Sequence, residues 1–147
     1  MKIAIAADHG GVNLKNELVE YVAELGHEIL DQGTDGSESV DYPDYARKVT
    51  DLLAAGGADL GILVCGTGQG MAMSANKLPG IRAGVVSDTF SARMIRAHNN
   101  ANILCLGERV IGAGLARELT KAFLETDFEG GRHERRVAKI EGMGGGG

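Results

Sequence analysis

The stretch Leu60-Gly61-Ile62-Leu63-Val64-Cys65-Gly66-Thr67-Gly68-Gln69-Gly70 decides the fold. An apolar run of strand length enters a glycine-rich turn, and helical spacing resumes over 69–76. A strand apolar along its whole length belongs in a parallel sheet covered on both faces, with a helix after each strand. The same alternation extends in both directions. Strands are expected over Lys2–Ala7, Glu28–Asp31, Leu60–Cys65, 83–87 and 102–106, five in all. Between them Leu14, Leu18, Val22 and Leu25 recur at helical spacing, as do Tyr45, Val49, Leu52 and Leu53 behind Pro43, a residue suited to a first helical turn. Further helices are expected over 89–98, 112–124 and 130–140. The pattern predicts an α/β fold with a five-stranded parallel sheet.

No repeat, proline-rich linker or shift in composition divides the chain, so one domain is expected over 1–141. Residues 142–147 hold five glycines and are expected to form a flexible tail, since glycine loses the most backbone entropy on ordering. A chain of 147 residues buries roughly 70% of its unfolded surface, enough for a real core. The apolar run Ile3 to Ala7 is too short for an export signal or a membrane span, and a cytoplasmic protein is expected. Cys65 and Cys105 are accordingly expected as free thiols. A net charge of -5 with 4% aromatic residues and no tryptophan argues against nucleic-acid binding, which calls for a basic stripe and stacking side chains.

Parallel sheets bind ligands beyond the carboxyl ends of their strands. That rule selects Asp8-His9-Gly10-Gly11, the loop Cys65 to Gly70 and the turn Gly107-Glu108-Arg109, with His98-Asn99-Asn100 as a fourth segment. Cys65 closes a strand beside the unpaired amides of a glycine-rich helix start, surroundings that favour a thiolate; the competing reading is a small buried hydrophobe. Glycines there let backbone amides approach an anion. The spacing is neither the dinucleotide fingerprint nor a P-loop, and Met71 stands where a cysteine phosphatase needs its arginine. His9 and His98 are acid, base or phosphate-donor candidates, whereas His27 and His133 read as surface residues and Cys105 as core. Arg132, Arg135 and Arg136 form either a solvated face or an anion site. No histidine or cysteine spacing indicates a metal.

Asp8-His9-Gly10-Gly11, Cys65 to Gly70, Ser74-Ala75-Asn76-Lys77 with Gly80-Ile81-Arg82-Ala83, His98-Asn99, and Gly130-Gly131-Arg132-His133 with Arg136 occur in one order. Together they resemble the RpiB/LacAB family of sugar-phosphate isomerases, ribose-5-phosphate isomerase B type, over Lys2 to about Ile140. The resemblance implies a Rossmann-like three-layer α/β/α sandwich and a homodimer or dimer of dimers whose active site is shared between subunits. It implies interconversion of D-ribose 5-phosphate and D-ribulose 5-phosphate in the pentose phosphate pathway, with no cofactor and no metal. Allose 6-phosphate, galactose 6-phosphate or a tetrose phosphate are the alternative substrates. By the same resemblance Cys65 is the base, His98 assists ring opening, Thr67 supplies a hydroxyl, and the amides of Gly66, Gly68 and Gly70 cradle the oxyanion. Asp8 and Asn99 contact sugar hydroxyls, while His9, Arg109, Arg132 and Arg136 take the phosphate. Cys65 also places the chain with the thiol branch of the family, since another branch carries glutamate there.

Overall fold

A computed structural model describes residues 1–144. It contains β1 (Lys2–Ala7), α1 (Val12–Glu24), β2 (Glu28–Asp31), α2 (Tyr42–Ala54), β3 (Leu60–Cys65), α3 (Gln69–Ala75), β4 (Ala83–Val85), α4 (Thr89–Ala97), β5 (Ile103–Gly107), α5 (Ala113–Glu125) and α6 (Arg132–Met143). The strands form one parallel sheet in the order β2-β1-β3-β5-β4. Successive side chains of a strand point to opposite faces, and the apolar runs here feed two cores. Ile3, Ile5, Ile62, Val64, Leu104 and Leu106 pack with α1, α4 and α5. Ala4, Ala6, Leu63, Cys65, Ile103 and Cys105 pack with α2 and α3. The result is the Rossmann-like α/β/α sandwich.

β2 and β3 flank β1 on opposite sides, so the chain changes direction across the sheet between β1 and β3. A crevice opens at the carboxyl ends of strands at such a switch point. Here the crevice is narrow because Gly11 sits against the end of β3: a Cβ on Gly11 would lie 2.6 Å from the Val64 carbonyl oxygen.

Several boundaries differ from expectation by one to three residues. β4 ends at Val85, two residues early, and Val86 reaches the Cys105 carbonyl only at 3.4 Å. β5 begins at Ile103 and runs through Gly107, one residue later than expected at each end. α6 starts at Arg132 and continues through Gly142 and Met143, so the first two residues of the expected tail are helical. The cause is tertiary: Glu141 accepts hydrogen bonds from the Gly80 amide and the Arg82 guanidinium, which anchors the final turn. Residues 145–147 lie outside the described residues.

Replacing Gly11 by alanine forces a methyl group into the Val64 backbone, and the expected loss of stability is about 1–3 kcal/mol. Chemical denaturation should show a lower midpoint with an unchanged slope; an unaltered midpoint would mean the crevice yields freely.

Candidate active site

Cys65 is the last residue of β3 and is 5% exposed. Its sulfur accepts a hydrogen bond from the Gly68 amide at 3.1 Å, which turns the glycine loop back over the thiol. Gly68 has φ +82, and a Cβ there would meet the Leu106 backbone at 3.1 Å, so both conformation and space demand glycine. Thr67 packs equally tightly on β5, where a Cβ on Gly107 would lie 2.8 Å from the Thr67 backbone. The Thr67 hydroxyl accepts from the Gln69 amide at 3.3 Å.

The neighbouring loops close on this turn. The Glu108 amide donates to the Cys65 carbonyl at 2.9 Å and the Arg109 amide to the Gly66 carbonyl at 3.0 Å, laying the Arg109 side chain against Gly66. The Glu108 carboxylate caps α1 through the Leu14 amide at 2.6 Å. Asp8 is buried and accepts from the Gly10 amide at 2.9 Å, in a turn that lies beside Gly66. His9 is exposed, and its Nδ1 accepts from the Val40 amide at 3.1 Å. Asp8, Gly66, Thr67, Gly68, Gly70 and Arg109 thus gather in and beside the Cys65 loop, with His9 next to Asp8 in the same turn.

Tyr42, absent from the sequence reading, belongs with them. Its ring covers Gly70, where a Cβ would come within 2.5 Å, yet Tyr42 remains 41% exposed. The only signal in the sequence was an aromatic residue before Pro43 at a helix start, which says nothing of a partner 28 positions away.

His98, Asn99, Arg132 and Arg136 do not join this group. α4 leaves the carboxyl end of β4 and runs back along the sheet for nine residues, about 13 Å. His98 therefore lies at the amino-terminal edge, where Asn102 pairs with Arg82 ahead of β5. α6 begins beside it, since the Glu129 amide bonds to the Ala97 carbonyl. One chain thus holds Cys65 and His98 at opposite ends of the sheet.

His133, expected at the surface, is buried and stacked on His98, with ring centroids 4.1 Å apart and planes 10° from parallel. The Glu129 carboxylate lies 3.6 Å from Nε2 of His98 and 3.7 Å from Nε2 of His133. Burial, His98 and Arg132 hold the His133 pKa below the ordinary histidine value, with Glu129 opposing them. Spacing in the sequence disclosed no metal ligands, yet the fold brings possible ligand atoms of these three residues within 4.8 Å of one another. Both Nε2 atoms face the same Glu129 oxygen, and Arg132 adds positive charge beside them.

Cys105 is fully buried, and desolvation, with a smaller push from Cys65, raises its pKa far above the usual thiol value. It remains a protonated core residue, and neither cysteine is in a disulfide. A separate cavity of about 590 Å³ lies between the α3–β4 connection, α4 and α6, lined by Leu78, Arg82, Ile95, Asn99, Ile140 and Glu141. Arg82 and Glu141 pair with each other there, away from Cys65. Among the described residues no helix is long and apolar enough to cross a membrane.

The family description Ribose/Galactose Isomerase matches residues 3–140. Ribose-5-phosphate isomerase B of Escherichia coli is 48% identical over 139 residues, covering 95% of this chain and 93% of that one. D-erythrulose-4-phosphate isomerase of Pectobacterium atrosepticum is 43% identical over 141 residues, covering 95% of this chain and 93% of that protein. The solved structure of Clostridium thermocellum ribose-5-phosphate isomerase B superimposes with a TM-score of 0.96 at 51% identity, covering 97% of each chain.

Because the fold keeps the His133 pKa low, the unfolded chain takes up a proton there at higher pH than the native chain does. Stability then falls on acidification through the ordinary histidine value and below it. His133→Gln should flatten this slope in denaturation midpoints measured across that range; parallel slopes for the two proteins would remove the assignment.

Proposed function

Since the chain belongs to the ribose/galactose isomerase family, whose ribose-5-phosphate isomerase B members are aldose–ketose isomerases, we propose that it interconverts D-ribose 5-phosphate and D-ribulose 5-phosphate, with Cys65 as the base. The observation that carries this reading is the Cys65 loop: a nearly buried sulfur accepting an amide hydrogen bond, with buried Asp8 and the Arg109 side chain beside the same turn. Aldose and ketose differ by the position of one proton on carbon, at C2 or C1, and one on oxygen, at O2 or O1. A base removes the proton at C2 of the aldose and returns it to C1, through an enediolate whose negative charge needs fixed donors. The Cys65 thiolate takes and returns that proton. The Gly68 amide is already committed to sulfur and the Gln69 amide to Thr67, so the other amides of the loop face the enediolate oxygen. In this proposal the expected cradle of Gly66, Gly68 and Gly70 amides keeps Gly66 and Gly70, while Gly68 serves the sulfur.

In water the aldose is mainly a closed furanose, and opening the ring moves a proton from the anomeric hydroxyl to the ring oxygen. His98 serves this step, with stacked His133 and Glu129 holding its ring. Because His98 lies at the far edge of its own sheet, it reaches Cys65 of a second copy, together with Asn99, Arg132 and Arg136. The phosphate then sits between His9 and Arg109 of one copy and Arg132 and Arg136 of the other, where forked guanidinium donors suit its oxygens. The site is complete only as a dimer or a dimer of dimers, in a cytoplasmic sugar-phosphate pathway.

Catalytic efficiency over four-, five- and six-carbon aldose phosphates should peak at ribose 5-phosphate and vanish in Cys65→Ala, while Cys105→Ala retains turnover. A peak at another sugar phosphate reassigns the substrate, and full activity of Cys65→Ala discards the base.

Sharing of the site is checked by mixing defects. A two-fold dimer of one Cys65→Ala chain and one His98→Ala chain has one doubly defective site and one intact site. Purified through two different tags, this mixed dimer should show about half of wild-type activity while each mutant homodimer is inactive. Activity no higher than that of the better homodimer would place both residues in one subunit's site.

A further inference from the structure

We infer that the segment between β2 and α2 is a positioning element for substrate phosphate, in which the Val40 backbone N–H presets the His9 imidazole as an Nε2–H donor. This rests on the proposed role of His9 in binding phosphate. A neutral imidazole carries one proton, so one ring nitrogen donates and the other accepts. The Val40 amide can only donate, and it donates to Nδ1 of His9 at 3.1 Å. The proton of the neutral ring must then reside on Nε2. Phosphate oxygens are acceptors, so the nitrogen left facing outward is the one that suits them.

The element that supplies this amide is itself held at both ends. At its start the Gln32 amide bonds to the Ile5 carbonyl at 2.8 Å, the Ala7 amide to the Gly33 carbonyl at 2.7 Å, and the Thr34 amide to the Ala7 carbonyl at 2.8 Å. Lys15, fully buried, grips Asp31 at 2.8 Å and Asp35 at 3.1 Å. At its end the Tyr42 ring lies on Gly70 of the Cys65 loop. Val40 is thus carried between two anchors on either side of the site. His9 is exposed and contributes no apolar packing to fix its ring. The amide bond therefore sets both tautomer and orientation, and removing it returns the ring to a mixture of rotamers and tautomers.

The test removes only that N–H. Val40 is replaced by its α-hydroxy analogue, which turns the amide into an ester, and in parallel by Val40→Pro; Val40→Ala keeps the amide. Ring ¹⁵N spectra of wild type should show His9 protonated at Nε2, and this signature should give way to a tautomer mixture in the ester variant. The KM for ribose 5-phosphate should rise about fivefold in the ester and proline variants, the scale of disordering one side chain, while kcat changes less than twofold. Val40→Ala should restore the wild-type KM. In a His9→Ala background the ester should add nothing to KM. The inference is overturned by a wild-type His9 protonated at Nδ1, or by a KM increase that persists in full without His9, since the segment would then act only structurally. If His9→Ala itself leaves KM unchanged, the phosphate role of His9 fails first, and this inference falls with it.

Discussion

Backbone packed directly on backbone at the carboxyl edge of the sheet is the constraint on which the site depends. Gly11 approaches the Val64 carbonyl, Gly68 the Leu106 backbone and Gly107 the Thr67 backbone, each closer than a methyl group allows. Core packing tolerates volume changes poorly, and main chain tolerates them least of all, because it cannot change rotamer. These contacts draw the loops after β1, β3 and β5 over one another. The amide of Gly68 then reaches sulfur, Arg109 lies along Gly66, and the Asp8 turn abuts the same residue. On the proposed reading the role of Cys65 depends on that closeness and not on cysteine alone; Cys105, two positions back along the neighbouring strand, is kept protonated by burial.

The direction of α4 divides the candidate site residues. A helix that follows a parallel strand must return toward the start of the sheet, so a residue at its end stands far from the strand ends where ligands bind. His98 occupies that end, and α6 joins it there through the imidazole stack and the Glu129–Ala97 backbone bond. On the proposed reading this separation is resolved by symmetry, each copy lending its far edge to the other's Cys65. The distribution of charge fits. The chain is acidic overall, yet Arg132 and Arg136 are exposed on α6, and on that reading they meet the phosphate.

The segment from Gln32 to Tyr42 shows how an irregular connection can be rigid. Between the end of β2 and the start of α2 it forms neither strand nor helix, yet it is tied to β1 by backbone bonds, to buried Lys15 by Asp35, with Asp31 of β2 beside it, to His9 by the Val40 amide, and at the first residue of α2 to Gly70 by the Tyr42 ring. Its composition reads as a polar loop, and its partners lie in three other parts of the chain.

The sequence by itself determined the class of fold and the five strands, and it singled out the candidate loops at the carboxyl ends of those strands. Those features rest on local physics: hydrophobic runs of strand length, helical spacing and glycines where chain must turn tightly. It also named Cys65, His9, His98 and the arginines, because reactive residue types stood beside turns. Tertiary structure decided what spacing cannot encode. The His133 stack, the Glu129 contact, the Val40–His9 bond, the Tyr42 cover on Gly70 and the helical state of Gly142 each join residues that only the folded chain brings together. Tertiary structure also separated Cys65 from His98, since strand order and helix direction, absent from any local pattern, set which end of the sheet each residue occupies.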